Sequence, residues 1–330
     1  MDNYENAKRS LSSIKKADDY GMFQMTYYGD YGFDEFLKVG AKDQEELEAV
    51  IERLVFKDIA DIEANINILG GGCTVFTTRN AAGEVIFGRN YDFAIYSPPL
   101  QLTTRPGNGY ASISTASMLY LGYGENNLPS GLNAESLATL AAPYIPADGV
   151  NEKGVAIAFL SVSEAKPPFC EDKITINTTA AVRLVLDKAA SVDEAIELMK
   201  QYNVFFSLDI YCHFLIADAS GRSVLVEYWD NDLKVVETQI ASNFIAYNDL
   251  RIAQGNAIER YDKVKNAFDS NNGILNQAQT IDLLVDIGWK SPEFGNGLQW
   301  SVIYNLSTLK GTIFANSNTD NLVDFSLTKQ

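Results

Sequence analysis

The spacing of hydrophobic and polar residues changes near residue 72. Before it, the stretch DQEELEAVIERLVF, which starts at Asp43, has apolar residues every three or four positions, as an amphipathic helix requires. Asp43 followed by Glu46 is typical of a helix start. After it, CTVFTT alternates, RNAAG breaks the pattern, and EVIFGRNYDF resumes it, which predicts a β-hairpin. We therefore expect a helix-rich leader, residues 1–72, followed by a strand-rich domain, residues 73–330.

The second region mixes strands and helices in blocks. Strands come first, two helices follow, a three-stranded meander comes next, and a helix and a hairpin close the chain. Ser191 and Glu194 are spaced as a capping box for the second helix. Blocks of this kind favour an α+β fold of packed layers over a parallel βαβ fold. The segments are Val155–Ser163, NTTAAVRLVLDKAA, SVDEAIELMKQY, YCHFLIAD with GRSVLVEYWD and LKVVET, Asn256–Phe268, and WSVIYNL with KGTIFAN.

Composition excludes several classes of partner. Hydrophobic residues make up 46% of the chain and the formal net charge is −17, so a nucleic-acid footprint or docking on anionic membranes is not expected. No stretch approaches the roughly 18 apolar residues of a membrane span. The first residues, MDNYENAKRSLSSIKK, lack the apolar core of a signal peptide. We expect a cytosolic protein, unless a signal segment was removed ahead of this sequence.

Cysteine and histidine are scarce. Cys73, Cys170 and Cys212 are too few and too scattered for a disulfide framework or a zinc site. His213 is the single histidine, and strand alternation places it and Cys212 on opposite faces. A triad would have to use this imidazole or none. A packed strand histidine is the simpler interpretation, and a metal site built on histidines is not expected.

Three glycines precede Cys73 in GGGCTVFTTRN. A thiol needs a base to act near neutral pH, and with histidine scarce one candidate is the α-amino group that a cut after Gly72 would give Cys73. Glycines allow strained backbone conformations and would leave the Gly72 carbonyl open to attack. We therefore expect self-cleavage between Gly72 and Cys73. The alternative is a glycine turn before a small buried cysteine.

Two charged residues follow in GRNYDF. Arg89 and Asp92 lie 16 and 19 positions after Cys73, and a returning hairpin strand would bring them beside it. Arg89 could stabilise a thiolate, and Asp92 could accept hydrogen bonds from the new ammonium group. The simpler alternative is an Arg–Asp salt bridge at a strand end.

These offsets resemble the choloylglycine hydrolase, or linear amide C–N hydrolase, family of N-terminal nucleophile enzymes. This family includes bile salt hydrolases, penicillin V acylases and acid ceramidase-like amidases. The resemblance covers about residues 73–310 and implies a four-layer αββα sandwich. The further segments that carry it are ADGVNEKGVAIAFL (Ala147–Leu160), FLIADASGRSVLVEY (Phe214–Tyr228), ASNFIAYND (Ala241–Asp249) and WSVIYNLSTL (Trp300–Leu309).

The resemblance also implies roles for single residues. Cys73 becomes the nucleophile and base, with Arg89 and Asp92 flanking it. Asn243 matches a position that helps to form the oxyanion hole. Arg260 in AIERYDKV matches an arginine near the nucleophile, and Arg251 competes for that role. The family's second oxyanion position, often asparagine, falls on Ser161, so a backbone N–H would supply the second donor.

The resemblance leaves the substrate open. A 72-residue leader, interpreted as a propeptide that self-cleavage removes, is more similar to the acid ceramidase, N-acylethanolamine amidase and isopenicillin acyltransferase branches than to bile salt hydrolases. We expect a small amide substrate with a hydrophobic moiety, such as an N-acyl lipid, a conjugated bile salt or penicillin V, and no cofactor. Transfer of the acyl group to an amine and a non-catalytic acyl-binding relative are the alternatives. A homo-oligomer stays open.

Overall fold

Two large β-sheets stack face to face, and helices cover the outer face of each. The structure is a computed structural model that describes residues 3–56, 71–253, 255–291 and 295–327. Within these ranges the α-helices are α1 (Asn3–Ser12), α2 (Phe33–Val39), α3 (Gln44–Ile51), α4 (Thr178–Lys188), α5 (Val192–Met199), α6 (Ala257–Ser270) and α7 (Gln277–Asp286).

The strands run through the whole described chain. They are β1 (Lys15–Lys16), β2 (Phe23–Thr26), β3 (Gly71–Arg79), β4 (Val85–Phe93), β5 (Pro99–Thr104), β6 (Ser112–Ser117), β7 (Pro146–Asn151), β8 (Ala156–Ser161), β9 (Thr175–Asn177), β10 (Asn203–Phe205), β11 (Cys212–Ala217), β12 (Ser223–Trp229), β13 (Asp232–Glu237), β14 (Ile240–Ser242), β15 (Phe244–Ile245), β16 (Ile252–Ala253), β17 (Lys290–Ser291), β18 (Gly295–Asn296), β19 (Leu298–Asn305), β20 (Lys310–Ala315) and β21 (Val323–Ser326).

The sheets form four layers together with the helices. The larger sheet has the order β1-β2-β5-β6-β7-β8-β11-β12-β13, and the smaller has the order β14-β3-β4-β19-β20-β21. Helices α4 and α5 pack on the larger sheet, and α6 and α7 pack on the smaller one. Strand β3 contacts β8 and β11 across the interface between the sheets. This architecture confirms the predicted α+β class and the αββα sandwich.

Local sequence signals set most of these elements. The turn at 80–83 joins β3 to β4, and their register pairs Cys73 with Tyr91, which confirms the predicted hairpin. The Asp43 side chain accepts a hydrogen bond from the Glu46 N–H at the start of α3. The Ser191 side chain likewise accepts a hydrogen bond from the Glu194 N–H at the start of α5. The Glu194 carboxylate accepts from the Ala190 N–H, whereas a capping box would use the N–H of Ser191.

The leader is more than a set of helices. Strand β2 pairs in parallel with β5, so the leader supplies part of the larger sheet. Tyr31 and Phe36 are buried in an aromatic cluster with Tyr144 of the following domain. The prediction of a helix-rich leader missed this strand, because FQMT is too short to show a period of two.

A helix that crosses a membrane must be both long and apolar. In the described ranges, no helix has both the length and the apolar character needed to span a bilayer.

Candidate active site around Cys73

Cys73 lies near the start of β3, inside the interface between the two sheets. Its side chain is buried, with a relative exposure of 4%. Gly71 and Gly72 precede it as the first residues of β3, and Gly72, which has no positive φ, pairs with Asp92 on β4. The alternative of a glycine turn does not hold for these two residues, and Gly70 lies outside the described residues.

Glycine at position 72 serves a steric purpose. A Cβ added to Gly72 would lie 3.1 Å from Nη2 of Arg260, which is closer than most side-chain contacts. The absence of a side chain thus lets the Arg260 guanidinium approach the backbone just before the nucleophile.

Arg89 lies beside the thiol of Cys73. One of its terminal nitrogens lies 3.8 Å from Cys73 Sγ and donates to the Phe159 carbonyl at 3.1 Å. The other lies 2.9 Å from a carboxylate oxygen of Asp148, and both side chains are fully buried. Burial raises the pKa of the Cys73 thiol, and the positive charge of Arg89 acts against that rise.

Asp148 is the residue of this site that sequence reasoning missed. It lies on β7 and accepts hydrogen bonds from the Tyr304 hydroxyl at 2.6 Å and the Trp300 indole at 3.3 Å. An acid and a base that each interrupt an apolar strand, as Asp148 and Arg89 do, need partners once buried. A charged residue within an apolar strand was therefore the sequence signal that each needs a buried partner. It does not identify the partner, because the sequence does not show which strands face each other.

Arg260 lies beside the backbone of Cys73. Its guanidinium donates to the Cys73 carbonyl at 3.0 Å, to Thr74 Oγ1 at 3.0 Å and to Asp92 at 3.2 Å. Arg251, the competing residue, is instead partly exposed and pairs with Asp249. The structure thus brings Arg260 to Cys73 and leaves Arg251 on the surface.

Asn243 touches the bond that we expect to be cut. Its side-chain oxygen accepts a hydrogen bond from the Cys73 backbone N–H at 2.7 Å and another from Arg260 at 2.7 Å. Its nitrogen donates to the Ser161 carbonyl at 2.7 Å and to Ser161 Oγ at 3.1 Å. Ser161 therefore lies in the site as an acceptor that orients the Asn243 amide.

Asp92 and Arg89 do not pair with each other, so the simple salt bridge between them is wrong. Asp92 accepts from the Trp289 backbone N–H at 3.0 Å and pairs with Arg260. Burial raises the pKa of Asp92 to about 6, against the lowering effect of Arg260. This carboxyl group therefore changes charge within a mildly acidic range.

His213 takes no part in this cluster. It is fully buried, and its Nδ1 lies 2.9 Å from Glu227 on the neighbouring strand. Glu227 also accepts from the backbone N–H groups of Ala246 and Tyr247, so the pair fixes the segment that follows Asn243. This confirms the interpretation of a packed strand histidine.

No metal centre emerges from the part of the chain that the structure describes. Its histidine, cysteine, aspartate and glutamate side chains form no group of three or more that could hold an ion.

Known proteins resemble this chain in sequence and in fold. A penicillin V acylase from Pectobacterium atrosepticum is 32% identical over 94 residues, which span a quarter of that protein and a quarter of this chain. A conjugated bile acid hydrolase from Clostridium perfringens superposes with a TM-score of 0.58 over 78% of this chain and 93% of its own, at 17% identity. A penicillin V acylase from Agrobacterium tumefaciens gives 0.57 over 78% and 87%, also at 17% identity. At that identity the two structures support the fold alone.

The family assignment rests on a longer match. The family model described as "Linear amide C-N hydrolases, choloylglycine hydrolase family" matches residues 73–267. The match begins at Cys73 and includes Arg89, Asp92, Asp148, Ser161, Asn243 and Arg260. The chain belongs to the linear amide C–N hydrolases of the choloylglycine hydrolase family.

Proposed function

We propose that this protein is a self-processing cysteine amidase that hydrolyses the amide bond of an N-acyl compound through an acyl-thioester on Cys73. One observation carries the proposal. The thiol, the nitrogen and the carbonyl of Cys73 each lie beside a different polar side chain, namely Arg89, Asn243 and Arg260. Any buried backbone N–H and C=O need partners, but a cysteine buried only for packing would not need a buried cation beside its thiol.

Self-cleavage begins when Cys73 Sγ attacks the Gly72 carbonyl carbon. The S–C bond forms, the C–N bond to Cys73 breaks, and the thiol proton ends on the freed nitrogen. Water then hydrolyses the thioester, giving a Gly72 carboxylate and a free thiol. The reacting groups are neighbours in one chain, so the step benefits from a high effective concentration.

The mature site repeats the reaction on a separate amide. The new α-amino group of Cys73 takes the thiol proton, Sγ attacks the substrate carbonyl, and the amine passes the proton to the leaving nitrogen. Asn243, which already accepts a hydrogen bond from that nitrogen, orients the amine. Asn243 Nδ2 and a backbone N–H are the donors we assign to the oxyanion, a contribution that is typically worth about 10²–10³ in rate. For this, Nδ2 exchanges one of its two hydrogen bonds to Ser161 for one to the substrate.

The family supports a linear amide as the substrate. Relatives with a similar fold or sequence are a conjugated bile acid hydrolase and penicillin V acylases. We therefore expect an amide that joins a hydrophobic acyl group to a small amine. The same residues would serve acyl transfer, in which an amine instead of water resolves the thioester.

A panel of amides tests this function. N-acyl lipids, conjugated bile salts and penicillin V are incubated with the cleaved protein, and products are measured with and without an added amine. Release of free acid in both cases supports hydrolysis, and an acylated amine supports transfer. Cleaved protein with a reactive Cys73 that turns over none of these amides would instead favour an acyl-binding relative.

Self-cleavage should slow in acid. Because the pKa of Asp92 is about 6, its carboxylate form falls about tenfold between pH 7 and pH 5. The carboxylate pairs with Arg260, which also donates to the Cys73 carbonyl, so protonation of Asp92 should loosen this hold on Cys73 and the cleavage rate should fall by up to a similar factor. Gel analysis of freshly translated chain moved to buffers between pH 5 and pH 8 measures it.

A matched variant separates this effect from a general pH effect. Asp92→Asn should cleave slowly at every pH and lose the step near pH 6. A wild-type rate that is highest at pH 5 would contradict this role of the Asp92 carboxylate.

A further inference from the structure

The larger sheet contains a fully buried acid that the proposed reaction does not use. Glu227 on β12 has no exposed surface, and neither has His213 on β11. The Nδ1 atom of His213 lies 2.9 Å from Oε1 of Glu227. Burial of such a pair costs desolvation energy, and apolar side chains of similar volume often stabilise a core at least as well. Packing alone therefore does not account for these two residues.

The other contacts of Glu227 are with the backbone that follows Asn243. The Ala246 N–H donates to both carboxylate oxygens, at 3.0 and 3.2 Å, and the Tyr247 N–H donates to Oε2 at 2.8 Å. Strand β15, which lies between Asn243 and Ala246, pairs with β16 and joins neither large sheet in the described chain. Glu227 therefore links this segment to the larger sheet.

Asn243 itself lies between two anchors. On its N-terminal side, β14 pairs with β3, the strand that carries Cys73. On its C-terminal side, Glu227 holds residues 246–247. The Asn243 amide reaches in both directions, because its oxygen accepts from the Cys73 N–H and its nitrogen donates to Ser161 on β8 of the larger sheet. The position of this segment between the two sheets thus sets both contacts.

These contacts close a ring across the larger sheet. Asn243 donates to Ser161, and the adjacent Leu160 pairs with His213 on the next strand. His213 contacts Glu227, which accepts from the backbone just after Asn243. Members of a connected polar network support one another, so the position of the Glu227 carboxylate bears on that of the Asn243 amide.

We propose that Glu227 is a positioning residue for Asn243 and that His213 fixes its carboxylate. The pair acts through the backbone that follows Asn243 and not on the reacting atoms. Because Asn243 orients the Cys73 amine and is assigned as an oxyanion donor, a small displacement of its amide slows the reaction without weakening substrate binding. This inference rests on the proposed function.

Glu227→Gln tests this role with little change of shape. The amide nitrogen that replaces one carboxylate oxygen is a donor, so at least one of the three N–H groups around it loses its acceptor. We expect kcat, measured per cut chain, to fall about ten- to a hundredfold while KM stays within about twofold of the wild type. Self-cleavage should slow for the same reason, since Asn243 also accepts from the Cys73 N–H.

Asp218→Asn is the matched control. Asp218 is also buried and accepts from backbone N–H groups, those of Val192 at 3.0 Å and Ser220 at 2.9 Å. It follows the end of β11, whereas His213 lies at the start of that strand. This variant should keep kcat and KM within about twofold of the wild type. An equal loss of kcat in both variants would show a general effect of buried carboxylates and overturn the positioning role.

Hydrogen exchange keeps the inference separate from the chemistry. In the uncut Cys73→Ala chain, the N–H of residue 73 still faces Asn243, and its exchange is followed by NMR after labelling with ¹⁵N-alanine. Glu227→Gln should raise this exchange rate about tenfold, and Asp218→Asn should leave it unchanged. That result with no hydrolysis of any amide by the wild type would count against the proposed function only. An unchanged exchange rate in Glu227→Gln, or a kcat equal to that of the wild type, would overturn the inference.

Discussion

Cys73→Ala should abolish amide hydrolysis and leave the chain uncut. Both reactions use the same sulfur, and the α-amino base exists only after the cut. Steady-state turnover of the best amide, followed by product release, measures the loss. We expect activity to fall to the level of the buffer.

Cys170→Ala is the control for this change. Cys170 is exposed and has no place in the site, so it reports what the loss of a cysteine outside the site does. This variant should cleave itself and keep its turnover within a few fold of the wild type. Residual turnover in Cys73→Ala above that of a heat-denatured sample would place the nucleophile elsewhere.

Asp148→Asn should destabilise the protein severely and reduce catalysis. Arg89 and Asp148 form an ion pair with both side chains fully buried. Removal of one partner from a buried pair typically costs about 3–5 kcal/mol, because the remaining charge is left uncompensated. Urea titration measures the loss in the free energy of unfolding. Without Asp148, Arg89 would no longer be fixed beside Cys73 Sγ, so catalysis should fall as well.

The control for Asp148 is an acid in an exposed pair. Asp193 pairs with Arg222 at the surface, where its side chain is 78% exposed. Asp193→Asn should change the free energy of unfolding by about 1 kcal/mol or less. Equal effects of the two variants would contradict the role of the buried pair.

Local patterns predicted the framework of this protein well. The hairpin that carries Cys73, the capped helices and the closing hairpin follow from alternation, helical spacing and caps, which depend on neighbours in sequence. The placement of Arg89 and Asp92 beside the first strand followed from the same hairpin. These signals need no knowledge of the rest of the fold.

Long-range pairings could not be predicted in this way. Asp148 meets Arg89 because β7 and β4 lie in opposite sheets, and no local pattern records that contact. The leader strand β2 was missed because its four residues gain stability from β5, which lies more than 70 positions later. The choice of Arg260 over Arg251 likewise depended on where helix α6 packs against β3.

The intact mass of freshly purified protein tests the central claim most directly. Under denaturing conditions, we expect the wild type to give two masses, for residues 1–72 and 73–330, and Cys73→Ala to give the single mass of the full 36.4 kDa chain. A wild-type chain that stays uncut at neutral and mildly acidic pH would leave Cys73 without its amine and contradict the account.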